Sequence, residues 1–175
     1  MGHISVIGSC NMDLTVEADR RPLAGETVMG KRLIVSPGGK GANQAVAAAR
    51  LGEEVYMVGC VGRDAYGSLM LDALKKSGVK TDYVSVLDGV DTGTAHIILA
   101  EGDNSIIVLK GANDRVSPKV VDEAFDIIAT SDLVMLQHEI PMDTIGYIID
   151  RCYEEKVPVM LNPAPYMDIP KEWID

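Results

Sequence analysis

From Lys40 onward the sequence alternates between two kinds of segment, and this alternation restricts the possible fold more than any other feature. Short apolar stretches such as Val55–Val61 and Val157–Leu161 have the composition of strands buried on both faces. Helix-forming segments lie between them, for example the alanine-rich Ala42–Leu51, which Gly52 terminates. Strands that alternate with helices usually form parallel sheets. We therefore predict an α/β fold with a doubly wound, mostly parallel sheet.

Two groups of strand-like segments, at about 14–35 and 92–109, interrupt the alternation. They mix β-branched and polar residues, which is typical of strands with one face toward water. Glu101-Gly102-Asp103-Asn104 predicts a hairpin turn inside the second group. We expect the two groups to form a small antiparallel sheet beside the main one.

Helix starts are marked by residues that favour the first turn. Asp64 precedes the predicted helix 65–77 and can accept hydrogen bonds from its free N–H groups. Ser117 and Pro118 have the types favoured at the cap and the first helical position of a second helix. Pro141 opens a third predicted helix, which runs to about Glu155.

Composition and charge exclude several classes of partner. The 175 residues suffice for one domain, and 47% hydrophobic with 24% charged residues is typical of a globular protein. A formal net charge of −10 opposes binding to nucleic acid and to anionic membranes. No apolar run approaches the ~18 residues of a membrane span, and the N-terminus resembles a strand more than a signal peptide. We expect a cytoplasmic protein.

The three cysteines are predicted to be buried free thiols. Cys10, Cys60 and Cys152 are widely spaced, and each lies in an apolar stretch. No Cys-x-x-Cys pair or zinc spacing is present, so we expect no metal site. Free thiols are compatible with a reducing compartment.

The segment Gly38-Gly39-Lys40-Gly41-Ala42-Asn43 lies at a predicted strand-to-helix junction. Glycines allow backbone N–H groups to approach a ligand, and a helix start offers unpaired N–H groups and a positive dipole end. Lys40 and Asn43 add charge and hydrogen-bonding groups. The segment suits a polyhydroxylated or anionic ligand, although a tight turn with a helix cap would explain the same residues. It lacks the third glycine of a dinucleotide-binding fingerprint.

Three polar residues follow predicted strands of the main sheet. Asn11 and Asp13 follow the first strand, and in an extended segment both would point to one side. Glu139 follows the buried strand Leu133–Leu136. Ligands of doubly wound sheets gather at the carboxyl ends of strands, so these groups could bind vicinal hydroxyls. An Asx turn at Asn11–Asp13 and an exposed loop carboxylate at Glu139 are the alternatives.

Taken in order, the motifs of the chain resemble the N-terminal half of the ribokinase (carbohydrate kinase PfkB) family. The likeness covers essentially the whole chain, residues 1–175, as one substrate-binding part of a ribokinase-like domain. Its matching stretches are Gly8–Asp13, Pro22–Thr27, Gly38–Ala45, Ala49–Gly52, Gly59–Gly67, Asp91–Ala95, Lys110–Asn113 and Asn162–Pro165.

The resemblance implies transfer of phosphate from ATP, with magnesium, to a sugar hydroxyl, which in ribokinase is O5 of D-ribose. It also implies that the polar-faced strands form a lid over the sugar and that lids pair in a homodimer. The sugar-binding residues it implies are Asn11, Asp13, Gly39, Lys40, Gly41, Asn43, Ala95 and Glu139.

The sequence departs from the family in what it lacks. The Gly-Ala-Gly-Asp motif, which carries the family's catalytic Asp and anion hole, is absent, and so is the Asn-x-x-Glu motif. Phosphoryl transfer depends on positioning and charge stabilisation, so we name no catalytic residue and expect neither activity nor good ATP binding from this chain alone. A truncated kinase, a sugar-binding pseudo-kinase module and a ligand-free lid dimer are the three interpretations.

Overall fold

A computed structural model describes residues 2–173 as two sheets flanked by helices. The strands are β1 (Ile4–Ile7), β2 (Asn11–Ala18), β3 (Gly30–Gly38), β4 (Val55–Gly62), β5 (Lys80–Leu87), β6 (Gly93–Ala100), β7 (Asp103–Leu109), β8 (Leu133–Gln137) and β9 (Val159–Asn162). The α-helices are α1 (Lys40–Arg50), α2 (Ala65–Lys76), α3 (Pro118–Glu123), α4 (Phe125–Ile128) and α5 (Met142–Glu155), with 3₁₀ turns at Gly111–Arg115 and Lys171–Trp173.

The central sheet has the strand order β5-β4-β1-β8-β9, and all its strands are parallel. Alternate side chains of β1 enter opposite cores. Val6 packs with the buried residues of α1 and α2, whereas Ile7 packs with those of α3, α4 and α5. The alanines of α1 allow that helix to lie close to the sheet. The predicted doubly wound α/β fold is confirmed.

The second sheet has the order β3-β2-β6-β7 and joins the two groups of polar-faced strands. Its outer pairings are antiparallel and its central pairing, between β2 and β6, is parallel. It spans 11–38 and 93–109, so the first group extends beyond the predicted 14–35 at both ends, and the second begins one residue later than the predicted 92–109. Every residue of β7 is exposed, and no further strand in residues 2–173 pairs with its outer edge.

Local signals located most element ends and misplaced a few. Asp64 caps α2 as predicted, accepting from the Gly67 N–H at 2.7 Å. Ser117 stands at the predicted cap position of α3, but its hydroxyl makes no capping hydrogen bond. The helix expected after it is divided at Ala124 into α3 and α4. Asn11 lies within β2, which starts three residues earlier than predicted.

Strand β9 forms one edge of the central sheet within the described residues. It pairs with β8 alone, and Met160 on it is half exposed. Such an edge offers unpaired backbone groups to another strand. No helix in residues 2–173 is both long enough and apolar enough to span a bilayer.

Candidate functional site

The parallel register of the central sheet brings distant parts of the chain to one edge. Ile4 and Ile7 of β1 lie beside Leu133 and Leu136 of β8, so the two strands end level. The segments that follow them therefore meet, although more than 100 residues separate them in sequence. The start of α1 lies at the same place, because the Ala42 N–H donates to the Ser9 carbonyl at 2.9 Å.

Hydrogen bonds hold the Glu139 carboxylate at this edge of the sheet. Its Oε2 accepts from the Ser9 hydroxyl at 2.5 Å and from the Lys40 backbone N–H at 2.9 Å. Its Oε1 lies 3.6 Å from Lys40 Nζ, and the side chain is 15% exposed. The alternative of an exposed loop carboxylate is therefore wrong. Helix α1 has no side-chain cap of its own and no acid in its first turn, so Glu139 supplies the negative charge that a helix N-terminus favours.

The glycine segment allows the backbone to approach closely. Gly39 is the N-cap of α1 with φ of 89°, a conformation that favours glycine. A Cβ there would lie 2.9 Å from the Asn11 backbone N. The Gly41 N–H donates to Ser9 Oγ at 3.2 Å, and a Cβ at Gly41 would lie 2.6 Å from the Ser9 backbone N. Both glycines thus serve the contact between α1 and the Ser9–Asn11 segment.

Asn11 and Asp13 point to the same side of β2, as their alternation predicts. The Asn11 amide bonds to Asn113 (2.7 Å) rather than to its own backbone, so the Asx-turn alternative does not hold. The Asp13 carboxylate makes no hydrogen bond with residues 2–173 and is partly buried. Burial raises the pKa of Asp13 above the ordinary value, the nearby Glu139 charge raises it further, and Lys40 opposes both effects.

A cavity of about 180 Å³ collects these groups. Seven of the eight residues proposed from sequence line it: Asn11, Asp13, Gly39, Lys40, Asn43, Ala95 and Glu139. Gly41 does not, because it is buried against Ser9. The volume is below the ~300–1,000 Å³ of sites for drug-sized ligands, so the cavity suits a small molecule.

The second sheet supplies an apolar wall that sequence reasoning missed. Ile97 of β6 and Ile106 and Val108 of β7 line the cavity on the same face of the second sheet as Asp13 of β2. They share a sheet face because Ala95 pairs with Val108 and Ile97 pairs with Ile106. Their alternation in sequence indicated a common face, but the pairing of β6 with β2 was needed to show that Asp13 shares that face. Ser9 was also missed as a site residue.

The cavity combines hydrogen-bonding groups with one cation. Lys40 is the basic residue among its lining side chains, beside Asp13 and Glu139. Within residues 2–173, no cluster of three His, Cys, Asp or Glu side chains could hold a metal ion. Polar groups beside apolar side chains match a ligand that carries both hydroxyls and C–H groups.

Comparison with known proteins identifies the relatives of this chain. The model of the pfkB family carbohydrate kinases matches residues 1–174. The ribokinase of Bacillus subtilis is 53% identical over 175 residues, covering all of this chain and 60% of the relative. The ribokinase of Lactococcus lactis is 45% identical over 176 residues and is covered to 58%.

A solved structure shows the same fold. Arabidopsis thaliana ribokinase complexed with ribose and ATP aligns with a TM-score of 0.88 and 39% identity, covering 99% of this chain and 57% of that one. The chain thus spans about 60% of the length of the curated relatives it matches.

Proposed function

This chain belongs to the pfkB family of carbohydrate kinases, and from that premise we propose that it is the part of a ribokinase that binds D-ribose. One observation carries the proposal: polar residues from three separate parts of the chain converge on one small cavity. They are Asn11 and Asp13 of β2, Lys40 and Asn43 of α1, and Glu139 after β8. The relatives named ribokinase, and the solved relative complexed with ribose, indicate the sugar.

The lining groups suit a pentose. Asp13 has a carboxylate without a partner in residues 2–173 and can accept from two hydroxyls. Lys40 and Asn43 can donate to sugar oxygens. Ile97, Ile106 and Val108 offer apolar surface to the C–H face of the ring. The sheet that carries them would act as the lid expected from the sequence.

We propose that the residues that bind the phosphate donor lie in another part of the relatives. In the whole enzyme, ATP would supply the phosphoryl group that is passed to O5 of ribose, with ADP as the leaving group, and magnesium would offset the phosphate charge. The described residues form no metal-ligand cluster, and the chain lacks a Gly-Ala-Gly-Asp motif. We therefore assign the nucleotide site and the catalytic base to the part of the relatives that this chain does not span.

Titration calorimetry of the 175-residue chain with ribose tests the proposal. We expect saturable heat in the millimolar range or below, and loss of that heat in Asp13→Ala. Asp72→Asn removes one charge at an exposed position of α2 that does not line the cavity, and this variant should bind as the unaltered chain does. Absence of heat at millimolar ribose would overturn the assignment.

A coupled kinase assay with ATP, magnesium and ribose tests the second part of the proposal. We expect no turnover above that of a protein-free control. Turnover that disappears in Asp13→Ala would contradict the assignment of the donor site to the part of the relatives beyond this chain.

Association through the lid is a second proposal, carried by the exposed apolar side chains of the second sheet. Leu33, Ile107 and Leu109, on the face of that sheet away from the cavity, are each more than half exposed. We propose that two copies bury these side chains against one another as a homodimer. Analytical ultracentrifugation should give a dimer that Ile107→Ser/Leu109→Ser converts to monomer. A monomeric unaltered chain would contradict the proposal.

The three buried thiols favour a reducing compartment, and we propose the cytoplasm. Cys10, Cys60 and Cys152 are free. Tagged protein recovered from a fractionated cell should appear with cytoplasmic markers if this is correct.

A further inference from the structure

Asn113 contacts the candidate sugar site from behind, although it lies outside the cavity. It belongs to the 3₁₀ turn Gly111–Arg115 and is 1% exposed. Its Oδ1 accepts from the Cys10 backbone N–H at 2.8 Å, and its Nδ2 donates to Asn11 Oδ1 at 2.7 Å. A longer contact of 3.4 Å joins Nδ2 to the Cys10 carbonyl. The side chain therefore bridges the backbone and the side chain of neighbouring residues.

The direction of these hydrogen bonds follows from the backbone. The Cys10 N–H can only donate, so the Asn113 atom that faces it must be the amide oxygen. The Asn113 NH₂ group consequently faces Asn11, and the Asn11 atom that meets it must be an acceptor. This orients both amides without relying on how either was assigned. The Asn11 NH₂ group is thereby turned away from Asn113.

The remaining face of the Asn11 amide is directed to the cavity. Asn11 is 3% exposed and lines the cavity, and its Nδ2 has no partner among residues 2–173. Gly93 permits this arrangement, because a Cβ there would collide with both amides and lie 2.8 Å from the Lys110 carbonyl. Asn11 and Asp13 are two residues apart on one face of β2, so a donor and an acceptor lie side by side.

We propose that Asn113 is a positioning residue that locks the Asn11 amide with its NH₂ group toward the sugar. The inference rests on the proposed ribose site and adds which side chain donates a hydrogen bond to the sugar and which accepts one. One hydroxyl of the sugar accepts from Asn11, and a neighbouring hydroxyl donates to Asp13. An Asn11 side chain free to rotate would present its oxygen part of the time, and the sugar hydroxyl could then bind only by turning its own proton toward Asn11, which removes that proton from any other acceptor.

The test reverses the donor on Asn113 while keeping its acceptor. In Asn113→Asp one carboxylate oxygen still accepts from the Cys10 N–H, and the other replaces the NH₂ group. The Asn11 amide must then turn to donate to the new carboxylate, so its oxygen faces the cavity. We expect ribose affinity by calorimetry to fall about tenfold or more. Asn104→Asp, which adds the same charge at an exposed position of β7, should leave the affinity unchanged.

A double-mutant cycle separates positioning from general damage. In an Asn11→Ala background there is no amide to orient, so adding Asn113→Asp should weaken ribose binding by less than about twofold. Losses that multiply across the two substitutions would overturn the inference. If Asn113→Asp does not fold, Asn113→Ala takes its place in the cycle, with a smaller loss that should likewise vanish in the Asn11→Ala background.

The outcomes distinguish the two proposals. No heat from the unaltered chain overturns the ribose site and the polarity inferred for it. Ribose binding by the unaltered chain that Asn113→Asp leaves unchanged overturns the role of Asn113 alone.

Discussion

Glu139 caps the helix that Lys40 begins, although 99 residues separate them in sequence. The Lys40 N–H is one of the unpaired donors at the start of α1, and the carboxylate satisfies it at 2.9 Å. The same oxygen accepts from Ser9, which is fully buried. The Glu139 side chain thus holds the glycine segment Gly38–Asn43 beside the ends of β1 and β8 without a ligand.

Replacing Glu139 should therefore cost stability as well as sugar binding. Glu139→Ala leaves the Ser9 hydroxyl and the Lys40 N–H without this acceptor, so we expect a loss of about 1–3 kcal/mol in the free energy of unfolding. Glu139→Gln retains an amide oxygen and should lose less. Urea unfolding followed by circular dichroism measures both. Equal stability of Glu139→Ala and the unaltered chain would show that the cap is unimportant.

Asp13 should contribute to sugar binding but lower the free energy of unfolding near neutral pH. Because folding raises its pKa, chiefly through burial and then through Glu139, the protonated form stabilises the fold. That contribution is complete below the unfolded-state pKa and is lost as the pH rises through the folded-state pKa. Asp13→Asn should thus raise the midpoint of thermal unfolding at pH 7 and abolish ribose binding.

The pH dependence provides the control for Asp13. The gain from Asp13→Asn should shrink as the pH falls and Asp13 in the unaltered chain becomes protonated. Asp72→Asn, at an exposed position of α2, should give no comparable gain in the midpoint of thermal unfolding, either at pH 7 or at lower pH. An Asp13→Asn variant that is less stable at pH 7 than the unaltered chain would reverse the inferred sign.

Gly39 should tolerate no side chain, for two separable reasons. Its φ of 89° is strained for an L-residue, and a Cβ would overlap the backbone of Ser9 and Asn11. Gly78 has φ of 84°, but a Cβ at that position would meet no atom within 4 Å, so it isolates the backbone effect. We expect Gly78→Ala to cost about 1–2 kcal/mol in the free energy of unfolding, and Gly39→Ala to cost about 1–3 kcal/mol more. Similar losses of unfolding free energy in Gly39→Ala and Gly78→Ala would exclude the steric contribution at Gly39.

The cysteines should resist thiol reagents until the chain unfolds. Burial raises the pKa of Cys10 to about 12, with a smaller contribution from Cys60. Burial likewise raises the pKa values of Cys60 and Cys152 to about 11. Since the thiolate is the reactive form, Ellman's reagent at mildly alkaline pH should detect no fast thiol in the native chain and all three in denaturant. A fast-reacting native cysteine would contradict this burial.

Short-range sequence patterns predicted most of the strands and helices and many of the residues of the candidate site. The change from strand-like to helix-forming composition at Lys40 located β3 and α1, because burial and helix propensity act over a few residues. The spacing of Asn11 and Asp13 predicted a shared face, since strand side chains alternate. The resemblance to one family then grouped these residues with Glu139, which no local pattern could do.

Only the tertiary structure decided which distant residues meet. The strand order places β1 between β4 and β8, and this order brings Glu139 to Ser9 and Lys40. The pairing of β2, β6 and β7 places Ile106 and Val108 on the same sheet face as Asp13, and the Gly111–Arg115 turn places Asn113 behind Asn11. Such contacts depend on packing across the whole core, which no local sequence window contains. The sequence by itself therefore determined the groups of the site, whereas the fold decided their orientation.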